Sequence, residues 1–210
     1  MKLTKYTHAC LVLEQHDESL VIDPGNFSDD FETPRTVTAV VLTHSHGDHY
    51  DEQKLQDILS VNPEVTIYAP KEIADESSVA VVAATPGQKV TIGSFELEFT
   101  GGKHATIHPD MKPLGNIGVV VNFDLLYYPG DSFAQPPRHM KWIATPVAAP
   151  WMKVSEAIDF LREARPTHAI PTHDAILSPA GHALVDRVIP SLIDEAIEYN
   201  RIAIGTSVEL

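Results

Sequence analysis

Apolar residues in this chain come in short runs that polar turn residues cut off, so the hydrophobic pattern reads first as strands. Residues 3–6, 9–13 and 20–22 fit strands, the last two separated by Gln15-His16-Asp17-Glu18, and Asp23-Pro24-Gly25 closes the third. Residues 38–42 make a buried strand. Apolar positions in 52–59 follow helical spacing, 65–69 return to a strand, and 71–76 make one or two helical turns. Pro86-Gly87 marks a turn, and 89–92 with 95–100 form a hairpin around Gly93-Ser94. The second half repeats the rhythm. Strands are predicted at 118–123, 125–128, 141–145 and 168–171, with a helix at 154–164 that stops before Pro166. A second helix covers 179–199 with a break at Pro190, and 202–204 closes the sheet. Strands lead each half and helices follow, which predicts an α/β architecture of two packed sheets with helices outside. No linker, repeat or low-complexity segment divides the chain, and residues 1–210 are expected to form one domain.

Composition narrows the partners. Fifteen basic against twenty-nine acidic residues give −14, a field that repels polyanions and weighs against nucleic acid. The longest apolar runs, such as 79–84, fall far short of the roughly 18 residues that span a bilayer. The chain passes from Met1-Lys2 straight into a strand without the apolar core of a signal peptide, and Cys10 is its only cysteine. A cytoplasmic protein acting on a small molecule is expected, with no membrane partner; a homo-oligomer is compatible with the sequence.

The chemistry concentrates in Thr43-His44-Ser45-His46-Gly47-Asp48-His49. Imidazole and carboxylate suit zinc, iron or manganese. The motif leaves the end of a buried strand, where residues two apart face the same way, so His44 and His46 can grip one ion. Gly47 then permits a sharp turn that swings Asp48 and His49 towards a second. Three more donors end predicted strands: His104 after Gly101-Gly102-Lys103, Asp131 after Pro129-Gly130, and His173 after Pro171-Thr172. His108 competes with His104, which is preferred because it directly follows its strand. Asp23 either orients a metal-bound histidine or caps the Pro24-Gly25 turn. Trp151-Met152, on a loop after a strand, is a candidate pocket wall.

With Gly130-Asp131 and Thr172-His173 following it in order, the motif resembles the metallo-β-lactamase-fold hydrolase superfamily. Tyr6-Thr7-His8-Ala9-Cys10 and Val21-Ile22-Asp23-Pro24 fit as well. More narrowly, the chain is similar to the small single-domain branch that includes L-ascorbate-6-phosphate lactonase-like proteins and many uncharacterised metal-dependent hydrolases. The resemblance implies an αββα sandwich with two divalent ions, zinc first, manganese or iron as alternatives. His44, His46 and His104 would bind the first ion, Asp48, His49 and His173 the second, and Asp131 would bridge them. A hydroxide shared by the two ions would attack an ester or lactone carbonyl, or second a phosphodiester, with Asp48 orienting it. His8 either lines the site, with His108 a rival as leaving-group acid, or packs. Rival classes are a diiron redox protein and a non-catalytic metal-binding module. The first usually replaces a motif histidine by a carboxylate and adds a flavin domain, and this chain has neither feature.

Overall fold

A strand covered on both faces is apolar at consecutive positions rather than alternate ones, and the central strands of this chain read that way. A computed structural model describes residues 1–210. Its first half forms β1 (Lys2–Lys5), β2 (Leu11–Gln15), β3 (Glu18–Ile22), β4 (Val37–Val41), α1 (Glu52–Val61), β5 (Thr66–Ala69), α2 (Lys71–Glu76) and β6 (Val82–Ala83). Next come β7 (Lys89–Ile92), β8 (Phe95–Gly101), β9 (Ile117–Val121), β10 (Leu126–Tyr128) and β11 (Trp142–Pro146). The chain ends with α3 (Val154–Ala164), β12 (His168–Thr172), α4 (Pro179–Leu192), β13 (Glu198–Tyr199) and β14 (Thr206–Glu209). Two mixed seven-stranded sheets result, in the orders β14-β1-β2-β3-β4-β5-β6 and β13-β12-β11-β10-β9-β8-β7.

Side-chain alternation sorts these strands into three apolar layers. Leu11, Leu13, Leu20 and Ile22 share the core between the sheets with Phe95, Phe99, Val119 and Val121. The intervening Val12 and Val21 pack on the other face, with Leu55 and Ile58 of α1. On the second sheet, Val120, Tyr127 and Ile143 pack outward with Ile158 and Leu161 of α3 and Val185 and Ile189 of α4. Each such fully buried side chain contributes roughly 1.5–3 kcal/mol of burial free energy. The expected αββα sandwich is present. No helix is long and apolar enough to cross a membrane.

Strand direction positions the site. β1 and β3 both run antiparallel to β2, and β4 runs parallel to β3. In the other sheet β8 and β10 both oppose β9, while β11 and β12 follow β10 in parallel. The C-terminal ends of β1, β3 and β4 therefore share one rim of their sheet, and those of β8, β10 and β12 share one rim of theirs. The far rim carries tight turns. His16-Asp17 (φ 50° and 62°) and Asn122-Phe123 (φ 51° and 61°) have the paired positive φ of type I′ hairpins. Gln15 joins the sheets there, donating to the Ser94 carbonyl at 2.7 Å and accepting from Asn122 at 3.1 Å.

Two expected elements end differently. The last helix stops at Leu192 instead of running to 199. Pro190 has no N–H to give its final turn, and the Asp194 carboxylate takes the Ala196 N–H at 2.9 Å, a local bond that competes with helix. Residues 202–204 do not close the sheet; Ile202 is buried in the core between the sheets. The chain turns at Gly205 (φ 72°), and Thr206–Glu209 pairs with β1 instead.

Candidate metal centre

All the sequence-derived donors leave through the rim defined above. His44, His46, Asp48 and His49 follow β4, His104 follows β8, Asp131 follows β10 and His173 follows β12, while His8 and Asp23 follow β1 and β3. The structure gathers them into two groups, His44-His46-His104-Asp131 and His8-Asp48-His49-His173, with ligand atoms inside each group within 4.8 Å of one another. Asp131 lies between the two groups. Its Oδ1 is 3.1 Å from His49 Nε2, and its Oδ2 is 3.1 Å from His173 Nε2 and 3.4 Å from His104 Nε2. His108 stays outside, exposed and beside Asp110.

Each imidazole has two nitrogens, and the partner of one decides what the other can do. His49 Nδ1–H donates to Asp23 Oδ2 at 2.7 Å, His173 Nδ1–H to the Ala148 carbonyl at 2.5 Å, and His104 Nδ1–H to the Ala105 carbonyl at 2.5 Å. The Nε2 atoms of all three are buried without a hydrogen-bond partner, and so is Asp131 Oδ1. An unsatisfied buried polar group costs about 1–3 kcal/mol. A cation among these four atoms would satisfy them together, so the donor set fits a metal. Thr43 completes the pattern. Its Oγ1 donates to Asp23 Oδ2 at 2.7 Å, which leaves it to accept from His44 Nδ1 at 3.0 Å and turns His44 Nε2 inward.

His8 is oriented the opposite way. Its Nδ1 accepts the Ala175 N–H at 3.2 Å, so the ring proton sits on Nε2 and is donated to Asp48 Oδ2 at 3.0 Å. Although it belongs to the second donor group, His8 presents an N–H rather than a lone pair.

The electrostatics follow the same division. Burial opposes charge on His173, yet the Asp131 and Asp48 carboxylates raise its pKa to about 9. Burial likewise disfavours charged His49, and Asp131 with Asp23 raise it well above the ordinary histidine value. Asp131 and Asp48 are held below the usual carboxylate range, against burial, by the histidines around them. Burial lowers His8, His44 and His46. Protons on His49 and His173 thus balance two carboxylates that a metal would balance more directly.

Backbone geometry supports the arrangement at close quarters. A Cβ on Gly25 would overlap the backbone of Asp48 and His49, so only glycine lets the β3 turn lie against the motif. Gly47 lies in the expected turn, closed by the His49 and Tyr50 N–H groups on the His46 carbonyl at 3.0 and 2.9 Å, without a left-handed φ. A Cβ there would press on the Asn26 side chain at 2.9 Å. His8 (φ 68°), Asp23 (φ 48°) and His173 (φ 55°) are left-handed non-glycine residues, a local strain that clusters at functional sites.

Two further residues complete the site. Trp151, expected as pocket wall, donates its indole N–H to Asp131 Oδ2 at 2.7 Å and packs edge-on against Phe133. Asn116 escaped the sequence reading. Its Oδ1 accepts the Asp131 N–H at 2.9 Å and its Nδ2 donates to the Pro129 carbonyl at 2.8 Å, clamping the turn that presents Asp131. A single asparagine before a strand gave no signal of that contact.

With this geometry in place, comparison with known proteins decides the family. A family model described as the beta-lactamase superfamily domain matches residues 2–173. The chain belongs to that superfamily. Among the relatives of this superfamily domain, Protein Rv0786c of Mycobacterium tuberculosis is 37% identical over 183 residues, covering 85% of this chain and 86% of that protein. A UPF0173 metal-dependent hydrolase of Chelativorans sp. is 30% identical over 150 residues, 63% of each chain. The metallo-beta-lactamase fold protein YhfI of Bacillus subtilis superposes with a TM-score of 0.75 at 19% identity, over 99% of this chain and 98% of that one. The expected fold is thereby shown.

Proposed function

We propose that this protein is a metal-dependent hydrolase that opens an ester or lactone bond of a small molecule. The observation that carries the reading is the convergence of His49, His104 and His173 Nε2 and Asp131 Oδ1, buried and unpaired, at the rim where six strands end. The Chelativorans relative, named a metal-dependent hydrolase, supports the same class. His44, His46 and His104 would hold one divalent ion and Asp48, His49 and His173 the other, with Asp131 between them. Zinc is the first choice. When bound, the ions would supply Lewis acidity, lowering the pKa of a water towards neutrality and offsetting charge on the carbonyl oxygen.

The chain's own residues do the remaining work. Water oxygen forms the new bond to the acyl carbon, the acyl–oxygen bond breaks, and the proton that water loses ends on the leaving oxygen. Asp48, kept anionic by its histidine neighbours, would orient that water. His8 fixes the Asp48 carboxylate through its Nε2–H and would pass on the proton in this reading. The net charge of −14 favours a small substrate over a polyanion.

A panel of lactones, esters and phosphodiesters tests the reading on zinc- and manganese-loaded protein. Turnover of acyl substrates, lost on chelation and restored by metal, is expected. A metal-loaded protein silent across the panel would overturn it, and iron on elemental analysis would point to the redox alternative.

A further inference from the structure

Beside His46 and His104 lies a cavity of about 300 Å³ that the donor groups do not fill. Small-molecule pockets run from about 300 to 1,000 Å³, so this one suits a compact ligand. Its inner end is formed by the two histidines and its wall by the loop between β8 and β9, through Ile107, Met111, Leu114 and Lys112. Met111 is 50% exposed, an apolar side chain held in solvent at the mouth of a site. The loop is tied at its base: Gly102 N–H bonds the Asn116 carbonyl at 2.7 Å, and His104 N–H bonds the Leu114 carbonyl at 3.0 Å. Glu72 of α2 accepts the Gly115 N–H at 2.7 Å.

The lining also excludes one class of ligand. In a chain with 29 acidic residues, no carboxylate lines this cavity, and Lys112 is its one lysine or arginine. A cationic group placed here would lose water, meet the Lys112 ammonium and gain no carboxylate partner. We infer that the cavity is the acyl pocket of the hydrolase: it takes a short apolar chain attached to the scissile carbonyl, and rejects a chain ending in a cation. The inference rests on the proposed hydrolysis for its chemistry, but the cavity itself can be tested without turnover.

Two measurements separate the claims. The first compares kcat/KM for p-nitrophenyl acetate and butyrate on metal-loaded protein. Two added methylenes entering an apolar pocket should raise it about tenfold, and Met111→Asp should bring the ratio close to one. The second is methyl NMR of protein carrying 13C-methyl methionine, titrated with hexanamide and with 6-aminohexanamide. Met111 is one of four methionines, and core-buried Met140 serves as internal reference. Hexanamide should shift the Met111 methyl while 6-aminohexanamide leaves it in place. That shift in a protein silent towards both esters and the whole lactone and ester panel would uphold the pocket and defeat the acyl-hydrolase reading. Hydrolysis with no chain-length preference and no Met111 shift would defeat the pocket and leave the hydrolase reading standing. An equal shift from both amides would overturn the charge selection, and an unmoved Met111 methyl together with silence across the whole panel would overturn both claims.

Discussion

The two donor groups share a rim and one carboxylate, yet they are built differently. In the enclosed group, His8, His49 and His173 are buried, and each ring is fixed from behind by a partner on another segment: Ala175, Asp23 and Ala148. In the open group, His46 is half-buried, and its one ring hydrogen bond is to His44 Nε2 at 3.1 Å. The cavity lies on that side. The difference divides the labour of the site. The enclosed group is preorganised at every ring, at the cost of access; the open group holds His44 and His104 through Thr43 and Ala105 and leaves His46 as its one loosely held, accessible ring.

The heaviest blow to this division removes donors from the open side and the middle together. His46→Ala with Asp131→Asn should cut turnover by at least about a thousandfold while far-UV circular dichroism stays unchanged. Unchanged turnover would remove the metal centre from the chemistry. Asp23→Asn removes no donor; it loosens His49 in the enclosed group and, through Thr43, His44 in the open one. It should weaken metal binding about 10–100-fold in a chelator competition, because the His49 ring loses its charged partner. Equal affinity for variant and parent would show that the enclosed group is not held by its outer contacts. Trp151→Phe should have a smaller effect, about tenfold on affinity, by removing one hydrogen bond to a charged group. Zinc titration should change tryptophan emission in the parent, whereas the variant, left with Trp142 as its sole tryptophan, should show no change.

The smallest effect is on stability without metal. His173 titrates at about 9 when folded, above the ordinary histidine value of 6.5. A raised folded pKa contributes stability that is complete below about pH 6.5 and lost as pH rises through about 9, worth no more than about 3 kcal/mol. Thermal unfolding of chelated protein followed across that window should show the decline, and His173→Gln should make it shallower, with the His49 contribution remaining. A parent profile no steeper than the variant's would mean that the His173 proton is not held by Asp131 and Asp48.

Much of this architecture was legible because its signals are local. The seven residues from Thr43 to His49 sit on consecutive positions, and His104, Asp131 and His173 each follow a strand whose apolar run is plain in the sequence. Asp23 could be read both as a turn cap and as an orienting group, and its bonds to Thr43 and His49 show it oriented towards the motif. What stayed hidden depends on pairing across the fold. The Asn116 grip on the Asp131 turn and the indole bond from Trp151 join segments that only the sheet order brings together. The chain's last strand was misplaced for the same reason: Ile202 to Ile204 is the more apolar stretch, but Ile202 is consumed by the inter-sheet core and the pairing edge falls to Thr206–Glu209.

The far rim, with its paired hairpin turns at His16-Asp17 and Asn122-Phe123, carries none of the donors. That makes it the natural handle of the molecule. A tag, a dye or a surface anchor placed at those turns would leave the donor rim facing free solution. The protein could then be immobilised or labelled in a known orientation without touching the donor end.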